Sequence, residues 1–259
     1  MNFFEKFFGY VYDVNGNYVP YFDNMGGGAF SDWRHFFWIF ASIALCFGLY
    51  FLFKKYKKAG VITVYVLVIL LLATRTINQI VRASIGAEIP AWRALPFHLC
   101  TTMTFLLPLT ILFKWDKIKT PIYVLSMMGG IITIIIGDYF DSSFMTFSTL
   151  EGIIAHTILL VVPIIEIATN RFRLEYKNAW QVVFGILILI VWATLANDYF
   201  FADYNTNYMY LKKNGLPGNL GGDYYFFIYI AIFMLMWSLI FGLPTLTRKL
   251  KAKKSQSNK

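Results

Sequence analysis

Apolar residues are grouped into seven long stretches along this chain, and short polar connections separate them. The stretches cover residues 35–53, 61–80, 95–114, 121–137, 152–169, 180–199 and 224–246. A helix that crosses the hydrocarbon core of a bilayer needs about 20 mostly apolar residues, and each stretch comes close to that length. The pattern therefore predicts an all-α membrane protein built as a bundle of seven transmembrane helices.

Positive charge alternates from one connection to the next. Four Lys or Arg residues lie in 54–60, three in 114–120, three in 170–179 and six in the tail from Arg248, whereas every other connection carries two or none. Loops rich in Lys and Arg stay in the cytoplasm. We therefore expect a multi-pass protein of the cytoplasmic membrane, with its N-terminus outside and its C-terminus in the cytoplasm.

Composition indicates one membrane domain. Of the 259 residues 58% are hydrophobic and the mean hydropathy is +0.57, which leaves little of the chain for a soluble domain. Residues 35–247 form the predicted seven-helix domain. Residues 1–34 predict an interfacial amphipathic segment and a flexible extracytoplasmic loop, and residues 248–259 a basic cytoplasmic tail that we expect to be disordered. Because the net charge of +9 belongs mostly to cytoplasmic loops and this tail, we expect no nucleic-acid partner.

Polar residues within the predicted spans concentrate in the outer half of the bundle. They include all three histidines, and the set is His35, Arg75, Asn78, His98, Cys100, Asp138, Asp141, His156, Asn197 and Asp198. Ionisable residues inside a membrane are costly and usually face the bundle interior or a wet cavity. Several helices that each offer one polar group at a similar depth predict a pocket.

Each of these residues also has a purely structural interpretation. Arg75 could extend to the lipid headgroups by itself, and His98 or His156 could bond a neighbouring carbonyl. Cys100 could be a small buried hydrophobic residue, and Asn197 could belong to an ordinary helix end. The shared depth of the set favours the functional interpretation of all of them together.

Cys100 is the only strong nucleophile in this set. Pro96 suits the first turn of a helix, which would place the thiol near the positive end of the helix dipole, where a thiolate is stabilised. A nearby imidazole completes the usual activation of a cysteine. His98 lies about 200° around a regular helix from Cys100, so His156 is the better base, although an unwound turn near Pro96 would reverse that choice. His98 is then available to orient the substrate, and Arg75 could hold a lipid phosphate.

A Cys–His pair at the outer edge of the hydrocarbon core lies at the depth of lipid ester carbonyls, which predicts acyl transfer through a thioester. Other chemistries fit the sequence less well. No ligand spacing supports a zinc site, the last span has no Lys for a retinal Schiff base, and no nucleotide-binding fingerprint is present. We therefore predict neither a metal site nor a cofactor.

Residues 95–100, with the sequence LPFHLC, resemble the LPLHLC signature of the YwaF-type bacterial membrane proteins, which are related to the eukaryotic transmembrane protein 164 acyltransferases. FSDWRH at 30–35 is similar to the family segment that opens the first helix. NYMYL at 207–211, followed by Pro217, is similar to the family segment before the last helix. His156 and Asn197 match further family positions, so the resemblance covers residues 30 to about 245.

This resemblance implies an acyltransferase or transacylase that moves a fatty acyl group between glycerophospholipids, from a membrane phospholipid to a lysophospholipid. It implies that Cys100 carries the acyl group and that His156 is its partner, with His98 as a further catalytic candidate. The candidate substrate-binding residues are Arg75, Asn78, His35, Asn197, Asn207 and Tyr208. The chain departs from the family pattern mildly, with Phe97 in place of Leu and Thr101 where Ser is common.

A second hypothesis is a non-enzymatic membrane protein. The same outer pocket could hold an anionic solute in a substrate-binding component of a transporter, or a lipid in a receptor. In that case Cys100→Ser would be nearly silent and Arg75→Ala would abolish binding. The sequence leaves the oligomeric state open.

Overall fold

The structure, a computed structural model, describes residues 7, 33–85, 95–137, 147–204 and 206–257. All regular secondary structure in these residues is helical. The α-helices among them are α1 (Trp33–Lys55), α2 (Lys57–Ile85), α3 (Leu99–Leu112), α4 (Lys119–Ile136), α5 (Phe147–Ala168), α6 (Trp180–Leu195) and α7 (Tyr225–Ser257).

Six of the described helices are long and apolar enough to cross a bilayer, so the protein is an all-helical, multi-pass membrane protein. The shorter apolar helix is α3. It has 14 residues and spans about 21 Å at 1.5 Å per residue, less than the hydrocarbon core of about 30 Å. Residues 95–98 precede it without helical structure, so the predicted stretch 95–114 is helical over 99–112 only.

The C-terminal end of α7 differs from the sequence-based expectation. Residues 248–257 continue the helix, so the prediction of a disordered tail is wrong for them. The segment contains Lys, Leu, Ala and Gln, which have high intrinsic helix propensity. The helix therefore extends beyond the end of its apolar run.

Helices α4 and α5 form the centre of the bundle. Of their apolar windows 61% and 56% are buried, against 11% for α1 and 12% for α7. Helix α5 packs against α1, α2, α3 and α4, and α4 also packs against α3 and α6. Most of the apolar surface of α1 and α7 is therefore available to lipid.

Two adjacent glycines bring α4 close to both α3 and α5. A Cβ atom at Gly130 would lie 2.8 Å from the backbone oxygen of His156, and one at Gly129 would lie 3.2 Å from the sulfur of Cys100. Small residues are common where transmembrane helices approach closely. The pair Gly129–Gly130 therefore allows α4 to approach both α3 and α5 closely.

The end of α4 is tied to α1. The helix finishes at Gly137, whose left-handed backbone (φ 73°) suits glycine. The side chain of His35 is fully buried, and its Nε2 donates a hydrogen bond to the carbonyl oxygen of Ile135 at 2.9 Å. That carbonyl belongs to the last turn, which has no partner within the helix, so His35 completes the end of α4.

Candidate active site

Polar side chains from α2, α3, α4 and α5 meet at one end of the bundle, which we call the site end. It lies where α2 and α4 finish and where α3 and α5 begin. The residues that mark it are Arg75, Cys100, Thr133, Glu151 and His156. The site is therefore built by four helices, each of which contributes one or two groups.

Cys100 lies in the first turn of α3. The helix begins at Leu99, and His98 before it has extended backbone (φ −83°, ψ 150°), so Pro96 precedes the helix rather than starting it. The sulfur of Cys100 is 3.2 Å from Oγ1 of Thr133 and is also within hydrogen-bonding reach of the imidazole of His156. The structure therefore places the thiol and this histidine side by side.

The His156 ring is oriented by its own helix. Its Nδ1 lies 2.6 Å from the carbonyl oxygen of Gly152, one turn earlier in α5. A carbonyl oxygen only accepts hydrogen bonds, so Nδ1 carries the proton and Nε2 of the neutral ring is an acceptor. An acceptor nitrogen beside a thiol can take the thiol proton. The Gly152 carbonyl therefore fixes both the tautomer and the orientation of the ring beside Cys100.

His98 is held by a different part of the chain, the segment 207–211. Its Nδ1 accepts a hydrogen bond from the backbone N–H of Met209 at 3.3 Å. The ring packs against Tyr208 and Tyr210, with centroid distances of 5.3 and 5.6 Å. Because Nδ1 accepts, the proton of the neutral ring is on Nε2. The neutral ring of His98 therefore presents its Nε2 as a hydrogen-bond donor.

Asn197 fixes the segment that holds His98. It lies in the π-helical turn Ala196–Phe200 that follows α6, and its side chain is buried. Its Oδ1 accepts from the N–H of Tyr208 at 2.8 Å, and its Nδ2 donates to the carbonyl of the same residue at 3.1 Å. Burial also raises the pKa of the Tyr208 hydroxyl to about 12. Asn197 thus positions Tyr208 and, through the next residue, His98.

The same segment contains two residues with left-handed backbone. Met209 and Tyr210 have φ angles of 54° and 56°, a conformation that non-glycine residues seldom adopt. Gly215 lies against the ring of Tyr210, where any Cβ atom would clash. Asn207 closes the turn by accepting hydrogen bonds from the N–H groups of Lys212 and the residue after it. Backbone strain of this kind is concentrated at functional sites.

A buried ion pair lies beside the thiol. The guanidinium of Arg75 is 3.1 Å from Oε2 of Glu151, and Nδ2 of Asn78 donates to the same oxygen at 2.7 Å. A second nitrogen of Arg75 donates to the hydroxyl of Thr101 at 3.4 Å. Thr101 follows Cys100 in the sequence, so the ion pair lies close to the thiol. Arg75, predicted to hold a lipid phosphate, is paired with a carboxylate.

The residues that sequence reasoning missed are Glu151, Thr133 and the pair Gly129–Gly130. Glu151 lies one residue before the predicted span 152–169, so it falls outside the set of polar residues within the spans. A lone acidic residue at a span end, opposite a lone arginine inside another span, is the signal that could have found it. Adjacent glycines within a span could have indicated the close helix approach.

Several predicted features lie outside the described residues. These are Asp138, Asp141 and residues 1–6 and 8–32. Within the part of the chain that the structure describes, no three side chains from His, Cys, Asp and Glu come together as a group that could hold a metal ion.

The sequence model of the TMEM164 family matches residues 29–241. No curated protein and no solved structure matches the chain. The matched range runs from the start of α1 into α7 and includes Cys100, His156 and the segment 207–211. The chain therefore belongs to the TMEM164 family.

Proposed function

We propose that this protein is a membrane acyltransferase or transacylase that moves a fatty acyl group between glycerophospholipids through a thioester on Cys100. The observation that carries the proposal is the contact of the Cys100 thiol with the imidazole of His156, whose Nδ1 is bonded to the Gly152 carbonyl. A nucleophile, a base and a group that orients the base are the parts that acyl transfer requires. The resemblance to transmembrane protein 164 acyltransferases points to the same chemistry.

In the first half-reaction Nε2 of His156 takes the proton of the thiol. The sulfur then attacks the carbonyl carbon of a phospholipid ester and forms a C–S bond. The tetrahedral intermediate collapses with cleavage of the ester C–O bond. The leaving oxygen takes the proton from His156 and departs as the hydroxyl of a lysophospholipid, so Cys100 holds the acyl group as a thioester.

The second half-reaction runs the same steps with a different alcohol. His156 takes the proton of a lysolipid hydroxyl, the oxygen attacks the thioester carbonyl, and the C–S bond breaks. The thiolate recovers the proton from His156. Donors aimed at the developing oxyanion would lower both barriers, and His98, with its proton on Nε2, and the Thr133 hydroxyl are the candidates.

In the proposed topology the chain crosses the membrane seven times within residues 35–247, with the site end towards the outside, and residues 1–34 and 248–259 flank this domain. Helix α3 alone is short, and the residues before it turn rather than extend, because the N–H of Phe97 donates to the carbonyl of Leu95 at 3.0 Å. Phe97 is buried against Tyr208, and the carbonyl of Pro96 accepts from the hydroxyl of Thr102 at 2.6 Å. Unwound backbone at membrane depth is tolerated when it is covered and bonded in this way.

Trapping of the thioester tests the function. The purified protein, in nanodiscs that contain a phospholipid with a labelled acyl chain, should acquire label that hydroxylamine releases and that peptide mass spectrometry assigns to Cys100. Addition of a lysophospholipid should discharge the label into new phospholipid. Cys100→Ala should abolish both steps, and His156→Ala should slow the first at least 100-fold, since general-base catalysis typically contributes that much.

Cys46→Ala is the matched control, because Cys46 lies in α1 and packs in the apolar core. It should leave labelling and transfer unchanged. Full transfer by Cys100→Ala would rule out the mechanism. If no label appears, and Cys100→Ser retains lipid while Arg75→Ala does not, the protein is a non-enzymatic binding protein, as in the second hypothesis.

A further inference from the structure

The polar cluster beside Cys100 has more hydrogen-bonding capacity than protein atoms use. Three of its groups are Arg75, Gln79 and Glu151. The buried atoms Nε of Arg75, Oε1 of Glu151, and Oε1 and Nε2 of Gln79 have no hydrogen-bond partner among the residues that the structure describes. A buried polar atom without a partner is unfavourable, and native proteins leave few of them.

These groups share one location. Arg75 and Gln79 are four residues apart in α2 and so lie on the same face of the helix. Oε2 of Glu151 accepts hydrogen bonds from both Arg75 and Asn78, which brings this carboxylate of α5 to the same face of α2. Its other oxygen, Oε1, has no hydrogen-bond partner among the described residues. Two of the unused atoms are acceptors, namely the carboxylate oxygen of Glu151 and the amide oxygen of Gln79. The other two are donors, namely Nε of Arg75 and the amide nitrogen of Gln79.

Charge restricts the ligand that such a cluster can take. Arg75 and Glu151 already neutralise each other at 3.1 Å, and the carboxylate is buried. A phosphate bound there would add negative charge beside the carboxylate in a medium of low dielectric, where an unpaired charge is costly. A hydroxyl group adds no charge, and it both donates one hydrogen bond and accepts others.

We propose that Arg75, Gln79 and Glu151 form a subsite for a free glycerol hydroxyl of the acyl acceptor other than the hydroxyl that attacks the thioester, so that the preferred acceptor is a glycerolipid with at least two free hydroxyls. This inference rests on the proposed function and assigns Arg75 a ligand other than the phosphate that the sequence predicted. Oε1 of Glu151 accepts the hydrogen of this hydroxyl, and Nε of Arg75 and the amide of Gln79 donate to its oxygen, while the attacking hydroxyl gives its proton to His156.

The location of the subsite suits an acceptor. Arg75 also bonds Thr101, the neighbour of Cys100, and Glu151 precedes Gly152, whose carbonyl orients His156. A glycerol group held by the cluster therefore lies beside the thioester and its base. Binding energy obtained there would orient the attacking hydroxyl towards the thioester carbonyl.

The test measures binding in Cys100→Ala protein, in which no acyl transfer can occur. Native mass spectrometry gives the affinity for a monoacylglycerol and for the matched ester whose two free hydroxyls are replaced by hydrogen. The monoacylglycerol should bind about 10-fold more tightly, a difference of about 1.4 kcal/mol. Gln79→Leu in the same background should reduce this ratio to near one.

Gln79→Leu should keep the fold, because it removes two buried atoms that lack partners and leaves a side chain of similar size. Thr76→Val is the matched control on α2. Its hydroxyl is exposed and bonds only its own helix in the described structure, so the ratio should stay at about 10-fold.

Equal affinity for the two esters in the Cys100→Ala protein would overturn the proposal. The proposal would also be overturned if lysophosphatidic acid bound more tightly than monoacylglycerol and Gln79→Leu did not change that difference. The protein would then recognise a phosphate group through other residues. These outcomes are separate from those of the thioester experiment. A protein that labels Cys100 without any preference for hydroxyls refutes the subsite only, and one that prefers hydroxyls but never labels Cys100 refutes the acyl transfer and leaves a glycerolipid-binding site.

Discussion

Buried ion pairs lie at both ends of α5, and their surroundings differ. At the site end Arg75 meets Glu151 at 3.1 Å, and at the opposite end Arg171 meets Glu166 at 3.3 Å. At the opposite end Oε2 of Glu166 accepts from the hydroxyl of Tyr123 at 3.3 Å, while Oε1 lies 3.3 Å from Arg171 without the geometry of a hydrogen bond. At the site end one oxygen takes two donors and the other takes none within the described residues.

The arginines differ as well. The side chain of Arg75 is 14% exposed, whereas that of Arg171 is 27% exposed and also lies over the ring of Tyr65. Arg171 can therefore be hydrated and stabilised by its aromatic neighbour if its carboxylate is lost. Both pairs leave one carboxylate oxygen without a hydrogen bond among the described residues, and they differ in the access of the arginine to water and in the Cys100 thiol near the site-end pair.

Removal of each carboxylate is the strongest test of this difference. Glu151→Ala leaves Arg75 buried without a counter-charge and should lower the free energy of unfolding by about 3–5 kcal/mol. Glu166→Ala should cost about 1–3 kcal/mol, because Arg171 can still reach water. Denaturant unfolding of the two purified variants in detergent measures both values. Equal losses would show that the two pairs are energetically alike.

Close helix contacts provide a second test, because each end has a crowded glycine. A Cβ atom would lie 2.8 Å from the His156 backbone oxygen at Gly130 and 2.7 Å from a side-chain carbon of Thr169 at Gly60. Both alanine substitutions should cost about 1–3 kcal/mol by overpacking. Only Gly130→Ala displaces α5 at the site, so only it should change the rate at which a membrane-permeant maleimide labels Cys100.

Gly242→Ala is the control for this pair, since nothing lies within 4 Å of its added Cβ atom. It should be neutral or stabilising by up to about 1 kcal/mol, because alanine is the better helix former. A change in labelling rate for Gly60→Ala as large as that for Gly130→Ala would contradict the assignment of the two ends.

We expect the smallest change in the free energy of unfolding at an exposed ion pair. Lys212 is 2.8 Å from Asp198, and their side chains are 34% and 47% exposed. Asp198→Ala should cost only about 0–1 kcal/mol, as exposed pairs generally do. Thermal unfolding monitored by tryptophan fluorescence measures the change. A loss as large as that of Glu166→Ala would mean that burial does not distinguish these pairs.

Much of the helical architecture could be predicted from hydrophobic runs, because lipid contact imposes apolar residues on every crossing helix. The partial unwinding at 95–98 could not be predicted. It depends on cover from Tyr208 and on a hydrogen bond to the Pro96 carbonyl from Thr102. Such contacts between distant parts of the chain leave no periodic pattern.

For the site, depth alone brought Cys100 and His156 to the same level, and the structure places them in contact. The depth of a residue in the membrane could not distinguish a side chain that faces the thiol from one that makes a structural hydrogen bond. His35 bonds the end of α4, and Asn197 bonds the backbone of Tyr208. Such assignments depend on side-chain direction, and the apolar pattern does not encode the direction of a single polar residue.

The unwound residues before α3 have a consequence for the order of synthesis. Pro96 accepts a hydrogen bond from Trp192 and His98 accepts one from Met209, across 96 and 111 positions of sequence. A nascent chain that has just inserted α3 has not yet made either partner. Assembly of the site end must therefore wait until the ribosome has added the segment from the end of α3 at Leu112 to Met209.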